Sequence, residues 1–296
     1  MKHECFDCHI KTVNKLIKKF KPESAVANEF LTRSEHILNK GAKMANPVLA
    51  REIHKLAEEL ISETDIYENE KITANDTLLK KYDYWKNMVL EDKNPLNMAV
   101  RLAVAGNIID YGAHTATDDV DKDIQAVLHT PLTIDETDQM LERIRKANMV
   151  LYLGDNAGEI VFDRLFIEVL DHPNVIYVVK AYPIINDVTI KDARQTSMEE
   201  VARVISNGYD APSTLLDHCS DEFLKHFNMA DVIISKGQGN FEGLMHSRRA
   251  NIFFLLMAKC DPVANLIGVQ KGDMVVAGSE RLNIMNLNGN DQQKTL

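Results

Sequence analysis

The sequence predicts an α/β protein, a helical N-terminal portion packed on a three-layer α/β/α, Rossmann-like domain with a mostly parallel sheet. Three observations carry that expectation. Up to about residue 146, apolar residues recur every three or four positions, the period of a helix with one buried face. From Asn148 onward, short apolar runs alternate with longer stretches of helical period, the pattern of parallel strands covered by helices. Several of the short runs end on Gly, Asp, Asn or Lys, residue types that suit loops at the carboxyl ends of strands. The expected partition is a helical domain over 1–146, an α/β/α domain over 147–278 and a polar C-terminal tail over 279–296.

The elements follow in order. Ile10, Val13, Leu16, Ile17 and Phe20 mark the first helix, which Pro22 interrupts. Phe30, Leu31, Ile37 and Leu38 give a second, with Gly41 as its stop. Leu49, Ile53, Leu56 and Leu60 follow Pro47 as a third. A fourth runs from Leu78 to Leu90 around Trp85, the only tryptophan. Met98 to Ile109 is nearly all small or apolar, so it reads as a helix buried on most sides. Asp118 to Asp123 reads as a solvated turn, and Thr133 to Glu136 as a capping box opening a helix to Ala147. The alternating region then comprises Val150–Leu153, Ile160–Leu170, Val175–Val179, Met198–Ile205, Ser213–Phe227, Val232–Ile234 and Phe253–Met257, with a helix near Val263–Ile267. Val269–Ala277 adds an edge strand or hairpin.

Composition narrows the function. The net charge of −10 argues against non-specific binding to nucleic acid or an anionic membrane, while leaving room for a local phosphate pocket. No apolar run is long enough to span a bilayer and the first residues lack a secretory apolar core, so a cytoplasmic protein is expected. Cys5-Phe-Asp-Cys8-His9 matches a haem-attachment pattern only literally. It lacks the second ligand pair of a zinc site and the preceding strand of a thioredoxin-like redox motif. A helix start with incidental thiols is the simplest account, beside open metal and redox roles.

The most informative run is Val150-Leu-Tyr-Leu-Gly-Asp155-Asn156-Ala-Gly158-Glu159, a buried strand ending on two oxygen-bearing side chains before a tight turn into a helix. Hard oxygens of this kind suit Mg²⁺ or Mn²⁺. Taken alone, Asp155 and Asn156 could equally cap the helix that follows. Two later loops argue for more: Ile184-Ile-Asn186-Asp187, and Ser235-Lys236-Gly237-Gln-Gly239-Asn240-Phe-Glu242 with a lysine at the mouth of a glycine-rich turn. Together they point to metal-assisted chemistry on a phosphorylated small molecule. Asn107 and Asp110 read either as core polar groups or as residues beside the site, and Asn207 and Asp210 either as turn formers or as site residues.

These motifs, with Ala105-Gly-Asn107-Ile-Ile-Asp110, Ser206-Asn207-Gly208-Tyr-Asp210-Ala-Pro212 and the N-terminal CxxC, resemble the damage-control phosphatase family, "domain of unknown function 89", in its stand-alone prokaryotic branch. The resemblance spans nearly the whole chain. It implies a metal-dependent phosphatase of small phosphate monoesters, using Mn²⁺, Ni²⁺, Co²⁺ or Mg²⁺. It also implies Asp155, Asn156 and Asp187 as metal ligands and Lys236 as the group on the substrate phosphate.

On that footing, a metal-activated water attacks the phosphorus, and Lys236 adds the positive charge that two carboxylates and one cation leave wanting. Backbone N–H groups around Gly158, Gly237 and Gly239 cradle oxygens, with Asn240, Asn107, Asp110, Asn207 and Asp210 nearby. Glu159 or Glu242 orients the water or acts as base. A covalent aspartyl-phosphate is the rival mechanism. The rival functions are a nucleotide- or dinucleotide-binding enzyme such as a methyltransferase or dehydrogenase, which the absence of GxGxxG disfavours, and a redox or metal-sensing module built on Cys5 and Cys8.

Overall fold

The structure is a computed structural model describing residues 3–108 and 120–282. Three amphipathic helices come first: α1 (His3–Phe20), α2 (Ser24–Lys40), ended by Gly41, and α3 (Asn46–Ile61), opened by Pro47 in its first turn. Their apolar faces make a small core of their own, with Val13, Leu38, Leu49 and Ile53 fully buried. The single helix expected around Trp85 is two, α4 (Glu68–Leu79) and α5 (Tyr82–Leu90), broken at Lys80-Lys81. Helix α6 (Pro95–Ala105) is capped by the Asn94 side chain and buries Ala99 and Leu102–Ala105. Helix α7 (Val120–Leu128) includes residues 120–123 of the stretch expected as a solvated turn, the rest of which lies outside the described residues.

The capping box expected at Thr133–Glu136 does not form. Those residues supply a two-residue strand, β1 (Ile134–Asp135), and the Asp135 carboxylate accepts from Thr137 N at the start of α8 (Thr137–Lys146). The pattern then runs β2 (Val150–Leu153), α9 (Glu159–Leu170), β3 (Val175–Val179), α10 (Ile190–Gln195), β4 (Arg203–Ser206), α11 (Asp221–Met229), β5 (Val232–Lys236), α12 (Gly237–Leu244), β6 (Ile252–Met257), α13 (Asp261–Ile267) and β7 (Met274–Gly278).

The seven strands lie in the order β1-β7-β6-β5-β2-β3-β4, all parallel to their neighbours except β7 against β6. β7 is therefore not the edge strand expected, since β1 pairs on its outer side. Side chains alternate between faces along each strand. Tyr152, Tyr177, Ile234 and Phe253 face one core, shared with α5, α6, α8 and α9. Leu151, Ile176, Ile233 and Phe254 face the other, covered by α11, α12 and α13. One layer of the sandwich is thus drawn from both sides of residue 146. Ser279 is also fully buried and donates to the Arg249 carbonyl at 2.6 Å, so the packed part of the chain continues past 278.

After β4 the chain returns to place β5 on the opposite side of β2. The order reverses there, and the carboxyl ends of β2 and β5 frame a crevice of the kind in which α/β sheets hold ligands.

Within α3, His54 is buried, its Nδ1 2.8 Å from the Ala50 carbonyl. Burial pushes its imidazole from the ordinary 6.5 down to about 4. The folded state therefore holds it neutral while the unfolded chain protonates it below 6.5. Stability is full above that pH and falls as pH drops toward 4, by about 3 kcal/mol. Urea unfolding across this window should show a shallower decline in His54→Leu than in wild type; parallel declines would discount the burial.

Candidate active site

Four strands deliver the site. Asp155 and Asn156 follow β2, Lys180 and the Asn186–Asp187 loop follow β3, Lys236 ends β5, and Lys259 follows β6. The loops after β2 and β3 are laced together by backbone bonds from Val188 N to the Asp155 carbonyl and from Ala157 N to the Asn186 carbonyl, each 2.8 Å. Asn156 and Asp187 thereby sit opposite one another in an isolated antiparallel bridge.

Asp155 Oδ2 accepts from Asn107 Nδ2 at 2.9 Å and from Asn156 Nδ2 at 2.7 Å. The same two amides reach Glu159 Oε2, each at 3.1 Å. Asn107 arrives from the end of α6, where Gly106 packs against Phe162 and Glu159 of α9. The Oδ1 of Asn107 has no partner among the described residues, and its amide nitrogen joins Asp155 to Glu159.

Lys236 does not stand at the mouth of the turn. It is fully buried, donating at 2.5 Å to both Glu159 Oε1 and Asp163 Oδ1. Tyr152 and Tyr177 donate to Asp163 at 2.6 and 2.9 Å, their rings stacked beneath it. Burial alone would depress the Lys236 ammonium, but Asp163 and Glu159 outweigh it and hold the charge firmly in place. A lysine so enclosed organises the site from within. The lysine beside the loops is Lys180, whose Nζ meets the Ser213 carbonyl at 2.9 Å, Asn240 Oδ1 at 3.1 Å and Asp187 Oδ2 at 3.5 Å.

The glycines act by contact. Gly237, at φ +75°, lies so close to Asp155 that a Cβ there would fall 1.9 Å from Oδ2. Gly239 passes under the Pro212 carbonyl, which a Cβ would meet at 2.2 Å. Gly158, at φ +81°, gives its N–H to Asn75 Oδ1 at 2.6 Å, so that amide is not available to cradle an oxygen as expected. Asn240 donates to the Gly154 and Lys236 carbonyls and so ties the β2 and β5 loops together.

Other expected residues fall elsewhere. Asn207 accepts from Tyr209 N within its own turn. Asp210 binds Arg51 and Lys55 of α3, which together outweigh its burial and lower its carboxyl. Glu242 accepts from Gln238 and lines a cavity of about 200 Å³ with Lys43, Asn46 and His246. Asp110 lies outside the described residues. The sequence reading missed Lys180, Asp163, Asn75 and Arg51. Only Asp163 carried a signal, standing one helical turn after Glu159 on the same face.

The electrostatics are unbalanced. Burial, then Glu159 and Asp187, push the Asp155 carboxyl up to about 8, against Lys259 and Lys180. Burial raises Asp187 to about 6, opposed chiefly by Lys180. Four buried carboxylates (Asp155, Glu159, Asp163, Asp187) lie with two buried lysines (Lys180, Lys236), and the half-buried Lys259 stands beside them. No group of three or more His, Cys, Asp or Glu side chains is arranged to hold a metal among the described residues. The donor set is instead two carboxylates and the Asn156 amide, hard oxygens brought together at the carboxyl ends of β2 and β3. That set fits one hard divalent cation.

Fold and crevice define the class, an α/β protein that carries its chemistry in loops at a topological switch point. The family described as "Damage-control phosphatase ARMT1-like domain" matches residues 1–275, and the chain belongs to that family. A damage-control phosphatase, PH1575, from Pyrococcus horikoshii is 32% identical over 284 residues, covering 93% of this chain and 96% of that protein. A damage-control phosphatase from Archaeoglobus fulgidus is 35% identical, covering 80% and 84%. An uncharacterized protein, MJ0202, from Methanocaldococcus jannaschii is 38% identical, covering 76% and 77%. The crystal structure of the Pyrococcus horikoshii protein superposes with a TM-score of 0.87 at 30% identity, over 94% of this chain and 99% of that one. These relatives support a phosphatase role in metabolite repair.

Two outcomes are expected here. Gly237→Ala should abolish activity and destabilise the protein, because the new methyl displaces the Asp155 carboxylate at a backbone angle that disfavours alanine; wild-type turnover would show that the loop yields. In chelator, the raised Asp155 carboxyl favours the folded state below its ordinary 3.8, and that contribution is lost as pH rises through about 8. Asp155→Asn should accordingly stabilise the metal-free protein at pH 8, on the order of 1 kcal/mol or more, with the gain shrinking toward pH 4. Thermal melts at the two pH values would reveal a missing gain.

Proposed function

We propose that this protein is a divalent-metal-dependent phosphatase of small phosphate monoesters, sugar phosphates or damaged phosphorylated metabolites. The observation that carries the reading is the meeting of buried Asp155, Asn156 and Asp187 at the carboxyl ends of β2 and β3, in a chain of the damage-control phosphatase family. Asp155, Asn156 and Asp187 would hold the cation, Mn²⁺, Ni²⁺, Co²⁺ or Mg²⁺. Such an ion, when bound, polarises a phosphoryl oxygen and supplies an acidic water.

The protein's own residues do the rest. Asn107 orients the Asp155 carboxylate and keeps Glu159 turned toward it. Glu159 accepts from Lys236, Asn107 and Asn156, so it positions these groups. Lys236 holds that arrangement rigid. Lys180 and Lys259 oppose the rise of both Asp155 and Asp187, so their charge is felt where a phosphate would enter; they take the role first expected of Lys236. Phosphoryl transfer needs this kind of fixed electrostatic frame more than covalent chemistry from the protein.

The test is phosphate release from a panel of sugar phosphates and p-nitrophenyl phosphate, after chelator stripping and addition of each metal. Release should depend on metal and fall about 100-fold or more in Asp155→Ala. Lys259→Ala should mainly raise KM. Folded, metal-loaded protein that releases nothing across the panel would end the proposal.

A further inference from the structure

Helix α4 carries no residue that the chemistry calls for, yet Asn75 on it bonds both to the loop after β2 and to the helix that follows the loop after β3. Asn75 on this helix is fully buried and makes three hydrogen bonds to two separate parts of the site frame. Its Oδ1 accepts the Gly158 amide at 2.6 Å, at the exit of the loop bearing Asp155 and Asn156. Its Nδ2 donates to Asp192 Oδ1 at 3.1 Å and to Gln195 Oε1 at 2.8 Å, both on α10, the helix that follows the loop bearing Asp187. Asp192 in turn accepts from the Thr189 amide at 2.8 Å and the Thr189 hydroxyl at 2.7 Å, two residues beyond Asp187. Lys71, one turn before Asn75, holds the other side of Asp192 at 3.3 Å, so its charge is matched.

We propose that Asn75 is a positioning residue that fixes the distance between Asp155–Asn156 on one loop and Asp187 on the other. The inference rests on the metal-site reading above. An amide suits the task, which needs an acceptor for Gly158 N–H and two N–H donors, for Asp192 and Gln195, where a hydroxyl carries only one donor. The two loops meet through a short seam of backbone bonds between residues 155–157 and 186–188, and separation there would move Asp155 and Asp187 apart. Asn75 resists that separation from behind, before any ligand arrives. In this way the helical half of the chain sets cation affinity without touching the cation.

The experiment compares wild type, Asn75→Ala and the polarity swap Asn75→Asp/Asp192→Asn. The swap rebuilds the link between the two loops, since the new carboxylate accepts from Gly158 N–H and from the new amide, whose oxygen still accepts from Thr189; only the bond to Gln195 Oε1 is lost. Two readouts are taken on folded protein, Mn²⁺ affinity by calorimetry and amide hydrogen exchange in the metal-free state. Asn75→Ala should weaken Mn²⁺ about tenfold or more and speed exchange at Ala157, Gly158 and Val188 while leaving β5 unchanged. The swap should restore both to within about threefold of wild type. Wild-type affinity and exchange in Asn75→Ala, or a swap as impaired as the alanine variant, would overturn the proposal. If wild type binds no Mn²⁺, the metal reading falls, and the exchange data alone decide whether Asn75 joins the loops. If Asn75→Ala does not fold, the swap decides: wild-type affinity and exchange uphold the link, and a folded swap without them refutes it.

Discussion

The fully buried contact of Lys236 with Glu159 and Asp163 is the constraint on which the rest of the site is built. Removing three charges from water costs several kcal/mol per ion, recovered only when geometry is tight and every remaining polar atom has a partner. Here the partners are visible: two tyrosine hydroxyls on Asp163, two asparagine amides on Glu159. Taking away one member strands the others, at a cost of about 3–5 kcal/mol. Because Lys236 lies on β5 and both carboxylates on α9, the contact clamps that helix across the switch point of the sheet. The opening turn of α9 and the Asp155 loop are then located by the same interaction.

The clamp also separates two kinds of charge. Glu159 and Asp163 share the one buried Lys236, whereas Asp155 and Asp187 lie beside Lys180 and the half-buried Lys259 and repel each other when both are ionised. Strain of this sort is stored where a ligand is meant to relieve it. The rest of the architecture keeps the repelling pair from drifting apart: backbone bonds between their loops, Asn240 across to β5, and α4 and α6 behind. The N-terminal helices are hence part of the site, and not a cover laid over a self-sufficient sheet.

Much of this was legible in the sequence, for reasons that differ by element. Strands β2, β3 and β5 are continuous apolar runs because both faces are covered, and such runs announce themselves. Asp155, Asn156 and Asp187 stood out because matching loops follow several buried strands, where one such pair alone would read as a helix cap. Lys236 was legible as important and not in its role, since a lysine after a strand looks the same whether it meets solvent or two carboxylates. β1 was hidden by its length of two residues, and its Thr-Ile-Asp-Glu stretch imitates a capping box. Asn75, Lys180 and Arg51 were invisible because their partners lie far off in sequence, and no periodicity encodes a long-range hydrogen bond.

The strand order bears on how the chain is assembled. β7, among the last described residues, lies between β6 and β1, and β1 has no other neighbour in the sheet. A ribosome emitting this chain therefore exposes residues 134–135 long before their partner exists, and the sheet is completed only once residue 278 has left the exit tunnel. Helices α1 to α3 are free of that dependence, since their core is local, and they can settle early. The long-range closure comes last, so nascent chains truncated before β7 carry an open sheet edge along β6, the kind of surface that chaperones cover.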